Sequence, residues 1–284
     1  MTDMRTFMLM AALTALFLVA GQLLGGQSGM MLALLFAVGI NFWAYWNSDT
    51  AVLNMYGARE VGPQEAPELV GIVTELARRG GLPMPRVFII DDASPNAFAT
   101  GRDPEHAAVA ATSGLLRILS REELAGVMAH ELAHVKNRDI LVGTISATFA
   151  GAITSMAQMA MFSSLFSNNS EEEGGNGLGG VLMMLLAPLA ASLIQMAVSR
   201  SREYGADDGG ALMCGNPLWL ASALNKLESG SRQIPLREAE THPASAHLFI
   251  VNPLSASSVA QLFSTHPPMG ERIMRLQQMA ANQR

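Results

Sequence analysis

Long apolar runs and charged segments alternate in blocks along this chain. Thr6 to Ser48, Ile140 to Ser170, Gly174 to Ser199 and the shorter Cys214 to Asn225 contain no Asp, Glu, Lys, Arg or His, and nearly all the charge lies between them. A bilayer selects such clumping, because about 20 consecutive apolar residues in a helix cross its hydrocarbon core. Within the first block, Gly25-Gly26-Gln27-Ser28-Gly29 is a turn-rich break that leaves Phe7 to Leu24 and Met30 to Trp46 as runs of 18 and 17 residues. These predict a transmembrane hairpin, closed by Trp43, Tyr45 and Trp46 as an interfacial aromatic belt. A cleaved secretory signal would not need the second run. Ile140 to Phe166 and Leu178 to Ser199 predict a second hairpin around the polar loop 167–177, with a buried core hairpin as the competing reading.

The charged segments read as mixed α and β. Apolar spacing predicts a helix over Ala66 to Arg79, closed by Gly80-Gly81, and a strand over Arg86 to Ile90. Val109 to Thr112 suits a second strand before a helix from Gly114 to Leu119. Ser120-Arg121-Glu122-Glu123 is a capping box, so a further helix starts there and runs to Lys136. The expected architecture is mostly α with a small β-sheet, an α+β catalytic body, plus four transmembrane helices. Its segments are a hairpin (1–46), a first catalytic part (47–139), a second hairpin (140–199) and a second catalytic part (200–284).

Composition sharpens this picture. Half of the 284 residues are hydrophobic and only 15% are charged, and the mean hydropathy is +0.26. A net charge of −6 without a dense basic stripe argues against nucleic acid as a partner. Cys214 is the only cysteine, which rules out an internal disulfide and suits a reducing compartment. The 18 Lys and Arg fall at Arg5, in 47–139 and in 200–284, and neither hairpin loop holds one. Four spans put all the basic regions on one face of the bilayer, and the positive-inside rule makes that face cytoplasmic. No span carries an ionisable residue, so the spans read as anchors rather than a transport path.

The chemistry is concentrated in His130-Glu131-Leu132-Ala133-His134, on the helix that Ser120 begins. At 3.6 residues per turn both imidazoles leave one face of the helix and can reach one metal ion, with Glu131 beside them as a proton acceptor. In this composition the motif arises by chance in about one sequence in a hundred. Its Ala, Val, Met and Leu neighbours mark a buried helix, where unpaired histidines would be costly. Two imidazoles, a carboxylate and an open position favour Zn2+, one ion per chain. Asn137 and Ile140 stand where a metzincin would carry its glycine and third histidine, so the third ligand comes from elsewhere. Glu203 and Asp207, one turn apart in Ser199-Arg200-Ser201-Arg202-Glu203-Tyr204-Gly205-Ala206-Asp207, can supply a ligand and a carboxylate behind a ligating histidine. With Arg200 and Arg202 nearby, a solvated charged face explains the spacing equally well.

Taken together these residues resemble the HtpX family of membrane-bound zinc metalloproteases, relatives of the CAAX-prenyl proteases, over essentially the whole chain. The resemblance implies a gluzincin-type endopeptidase in the bacterial inner membrane, with catalytic segments and both termini cytoplasmic. It makes Glu203 the third zinc ligand beside His130 and His134, and Glu131 the catalytic base. It implies that Asn96, Ala97, Phe98 and Ala99 border the substrate cleft, that His266 in Thr265-His266-Pro267-Pro268 stabilises the oxyanion and that Arg272 supports it. The implied substrates are misfolded or damaged membrane proteins, cut beside the lipid bilayer under stress. A zinc-binding membrane scaffold without proteolytic activity is the alternative. His106, His242 and His247 match nothing and read as surface or loop residues, and Gly230 to Ser258 reads as a surface loop, with a mobile flap or substrate-gating element as the alternative.

Overall fold

The computed structural model describes residues 2–148, 200–234, 236, 239, 243–252 and 267–283. The hairpin expected in 140–199 therefore lies outside the described residues from 149 onward, as does His266.

Helix α1 (Thr2–Met55) is two arms joined at Gly25 and Gly26, where φ of −142° and +58° break the helix. The second value lies in the left-handed region that glycine enters without a Cβ penalty. The arms fold back on each other: Asn41 Nδ2 donates to Thr14 Oγ1 at 2.8 Å, and the Phe17 and Phe36 rings meet edge to face at 5.5 Å. The two arms thus form a helical hairpin. Among the described residues one helix, Gly25–Met55, is long and apolar enough to cross a membrane, and Thr6–Val19 is a shorter apolar helix before it. The second arm does not stop at Trp46. No Gly or Pro interrupts residues 47–55, so the helix carries on into the body, where Val52, Leu53 and Tyr56 are buried against Phe88, Phe98 and Phe249.

The body holds a sheet of order β1-β2-β4-β3: β1 (Arg59–Glu60), β2 (Arg86–Ile90), β3 (Ala97–Gly101) and β4 (Ala107–Thr112). Strand β2 is parallel to β4, and β3 is antiparallel to β4 and forms an edge. Helices α2 (Pro67–Gly80), α3 (Ser113–Ile118) and α4 (Arg121–Lys136) belong to the first half of the body. Both sides of the Ser120 capping box are made, as the sequence predicts. Helix α5 is described over 140–148. Its Leu141, Val142 and Ile145 pack on Leu9, Leu13 and Ala44 of the hairpin.

Helices α6 (Arg200–Cys214), α7 (Pro217–Gln233) and α8 (Met269–Asn282) come from the second half. Their Ala211, Leu220, Leu224, Leu227 and Leu276 share one core with Val73, Leu115, Met128 and Leu132. The two catalytic parts, far apart in sequence, form a single packed body. Segment 243–251 is not a surface loop: Ala246, Phe249, Ile250 and Val251 are buried in it. Ala, Ser and Pro gave the stretch a loop-like local composition, while its burial comes from long-range contacts with the sheet.

Candidate metal centre

Helix α4 turns His130, Glu131 and His134 toward α6, which lies unusually close to it. A Cβ added at Gly210 would come within 2.8 Å of the His130 backbone nitrogen, so only glycine permits this approach. Two turns earlier on α6, Glu203 reaches the histidine pair. His134 Nε2 lies 3.2 Å from His130 Nε2. Glu203 Oε2 is 3.7 Å from His130 Nε2, and Oε1 is 3.6 Å from His134 Nε2. Ligand atoms at about 2.0–2.1 Å from a tetrahedral ion stand roughly 3.3 Å apart, so these spacings suit one zinc-sized cation. The expected triad is brought together, with all three candidate ligand atoms within 4.8 Å of one another.

Charge gives a second test of the fit. Glu131, Glu203 and Asp207 are buried, and the buried cation among them is Arg272. Fully ionised, these four groups are two positive charges short of neutrality, the deficit that a divalent ion fills. Without such an ion the cluster draws in protons. Burial pushes Glu131 up to about 7, with His134 pulling it down and Glu203 pushing it further up. For His134, burial works against the charged form, but Asp139, Glu203 and Glu131 outweigh it and raise the pKa to about 9. Glu131 Oε1 is buried and has no hydrogen-bond partner among the described residues.

Behind the ligands lie two carboxylates. Asp207 Oδ1 is 3.0 Å from His130 Nδ1, which fixes the tautomer with Nε2 facing the site. Arg272 holds Asp207 with two bonds, Nε to Oδ2 at 2.9 Å and Nη2 to Oδ1 at 2.7 Å. On the other side, Asp139 Oδ2 is 3.5 Å from His134 Nδ1. The chain reaches that position through Arg138, a non-glycine residue at φ 59°. Such a conformation costs of order 1 kcal/mol, and here it ends α4 so that Asp139 turns back on the helix. Sequence reading did not single out Asp139, although a carboxylate five residues past His134 was a usable signal.

The remaining expected site residues divide. Ala99 lines the cleft beside the triad, together with Ile140, Gly143, His247, Leu248, Phe249 and Ile250. The Asn96 side chain is buried and bonded to backbone: its Nδ2 donates to the Val251 carbonyl at 2.8 Å, and its Oδ1 accepts from Ala97 N at 3.1 Å and Val251 N at 3.3 Å. Phe98 is buried among Tyr56 and Phe249, and Ala97 is buried in the core. Arg272 is wholly buried beneath the ligands. His106 is half-exposed beside Asp103, as expected of a loop residue. His247, read as a surface residue, is buried, and its Nε2 lies 3.1 Å from the Gly143 carbonyl.

A mixed sheet carrying an H-E-x-x-H helix, with a glutamate brought in from a later helix, defines a peptidase body attached to an apolar hairpin. The chain belongs to peptidase family M48, whose model matches residues 63–280. It is similar to a protease HtpX homolog of Ralstonia pickettii (strain 12J), 59% identical over 276 residues, 97% of this chain and 96% of that one. A protease HtpX homolog of Burkholderia thailandensis is 57% identical over 277 residues, with the same coverage. Among solved structures the fold resembles that of S. mikatae Ste24p, with a TM-score of 0.52 and 19% identity. That match covers 97% of this chain and 65% of the other.

Proposed function

We propose that this chain is a zinc-dependent endopeptidase of the gluzincin type, anchored by four membrane spans, with its catalytic body at the cytoplasmic face of a bacterial inner membrane. The zinc assignment rests chiefly on one observation: three converging ligand atoms within 4.8 Å of one another, set in a buried cluster short of two positive charges. His130, His134 and Glu203 would hold the ion, which supplies Lewis acidity toward a scissile carbonyl and makes water a usable nucleophile near neutral pH. Glu131 is not needed as a ligand. It stands beside the ligand pair, where it can accept a proton as water attacks and return it to the leaving amine. Asp207 and Arg272 act through His130 by fixing its ring. His266 is assigned to the oxyanion through the resemblance of Thr265-His266-Pro267-Pro268 to its family pattern. Ala99, on the edge strand β3, is the position beside which an extended substrate would add as a further strand.

The charge distribution supports cytoplasmic placement of 47–139 and 200–284, with 1–46 and 140–199 as hairpins. Misfolded or damaged membrane proteins are the substrate class that the family resemblance implies, and a cleft beside an apolar anchor would make membrane-associated chains accessible. The test uses purified full-length protein in detergent, read for metal content and casein cleavage. Glu131→Gln should keep its metal and lose about 10²–10⁴-fold in rate, while Glu203→Ala should lose metal and activity together. Full casein cleavage by Glu131→Gln would remove the mechanism. A metal-loaded wild type that cuts nothing would favour the non-proteolytic scaffold.

A further inference from the structure

The edge of β3 that the proposed function assigns to substrate already has an occupant from within the chain. The Ile250 N–H donates to the Ala97 carbonyl at 3.1 Å. One residue on, the Val251 N–H and carbonyl are both held by the Asn96 side chain. Ile250 opposite Ala97 and Val251 opposite Asn96 make the segment run antiparallel to β3. Before Ile250, Pro243–Leu248 form a short 3-10 helix, and Leu248 and Phe249 form part of the cleft lining. The segment is fastened along its length. Tyr56 and Ser245 hydroxyls bond to each other, and His247 Nε2 lies 3.1 Å from the Gly143 carbonyl on α5. From beneath, Arg272 Nη1 donates to the Ile250 carbonyl at 3.0 Å, using the same guanidinium that clamps Asp207 behind His130. With the segment in place the cleft holds about 50 Å3, room for a few waters and far below the several hundred Å3 of an ordinary ligand site.

We infer that residues 245–251 are a resident strap on the substrate's strand track, and that a polypeptide reaches the metal centre by displacing them. This rests on the protease reading above. Displacement sets the substrate class. The incoming chain must be extended, must offer a backbone N–H to replace the Ile250 bond to the Ala97 carbonyl, and must carry apolar side chains to refill the sites left by Phe249 and Ile250. Unfolded apolar segments meet these demands. Folded or highly charged segments do not, so the closed strap protects folded neighbours from cleavage. A strap that is open only part of the time reduces apparent affinity by its open fraction, so weakening the closed state raises turnover.

Hydrogen exchange on full-length, zinc-loaded Glu131→Gln in detergent, with and without β-casein, tests this directly. Peptides covering 245–252 should be protected alone and exchange about tenfold faster or more with casein bound, while α4 stays protected. Unchanged or increased protection, with casein shown to co-purify, would overturn the strap. Asn96→Ala, which releases both Val251 bonds, supplies a second reading opposite in sign to a substrate-contact role. Casein cleavage should rise about fivefold in this variant, and a fall in a variant that melts like wild type would also overturn the inference. A wild type that neither binds nor cuts casein takes down the protease reading itself, a result distinct from cleavage with an immobile strap.

Discussion

The two sides of the metal centre are built differently, although each is a histidine backed by an aspartate. On the α6 side, His130 Nδ1 meets Asp207 at 3.0 Å, and both side chains are only 1% exposed. Arg272 locks that aspartate, and burial holds His130 down at about 4, neutral with its free lone pair facing the site. On the α5 side, His134 meets Asp139 at 3.5 Å, with side chains 16% and 11% exposed, and the cation behind Asp139 is Arg202 at 4.0 Å. Here the histidine keeps a proton, with a pKa raised to about 9. One candidate ligand is therefore preset, and the other becomes available when a proton leaves.

Removing the rigid side should cost most. Asp207→Ala leaves Arg272 buried without its bidentate partner, and stranding such a charge costs about 3–5 kcal/mol. Losing the carboxylate behind a metal-bound histidine typically weakens metal binding about 10–100-fold. Thermal unfolding and zinc titration should both register the change. A double variant, Asp207→Ala with Arg272→Leu, should recover much of the stability but not the metal affinity. Equal recovery of both would mean that Asp207 serves only to balance Arg272.

How much of this asymmetry was legible beforehand follows from where its information is stored. Helix α4 could be read to its ends because the Ser120 to Glu123 box and the His130 to His134 spacing are local. Glu203 and Asp207 could be nominated from a one-turn spacing, but their approach to α4 depends on Gly210, whose role appears only when two helices meet. Residue pattern alone does not mark strand β3, because Ala97–Gly101 is buried throughout, which erases the two-residue alternation of a half-exposed strand. Segment 243–251 was misread for the complementary reason: its composition suggests a loop, and its partners Asn96, Tyr56 and Arg272 lie far away in sequence. The first hairpin was plain from hydropathy alone. Its Phe7, Leu32, Leu35 and Phe42 are 68–69% exposed, as suits side chains solvated by lipid.

Proton release gives the next largest effect. With the metal-free folded pKa of His134 raised from 6.5 to about 9, protonation stabilises the metal-free protein fully below pH 6.5. That contribution is lost as pH rises toward 9. Metal binding runs the other way, because the ion requires the deprotonated ring. Apparent zinc affinity should rise about tenfold per pH unit between roughly 7 and 9. Calorimetry in buffers of different ionisation enthalpy should find about one proton released per zinc near pH 8. Proton-neutral binding there would show that His134 is already free and that the two sides are alike.

The smallest effect should come from the looser side. Asp139→Asn keeps the shape and a hydrogen-bond acceptor but removes the charge that helps hold the proton on His134. Two consequences oppose each other: the ring gives up its proton more readily, which favours the ion, and its orientation and basicity weaken, which does not. The net change in zinc affinity near pH 8 should be tenfold or less, well under that of Asp207→Ala. The proton release measured by calorimetry should fall toward zero, and this is the sharper readout. A structural role alone would lower affinity and leave proton release untouched, so the two measurements on one variant separate orientation from charge at His134.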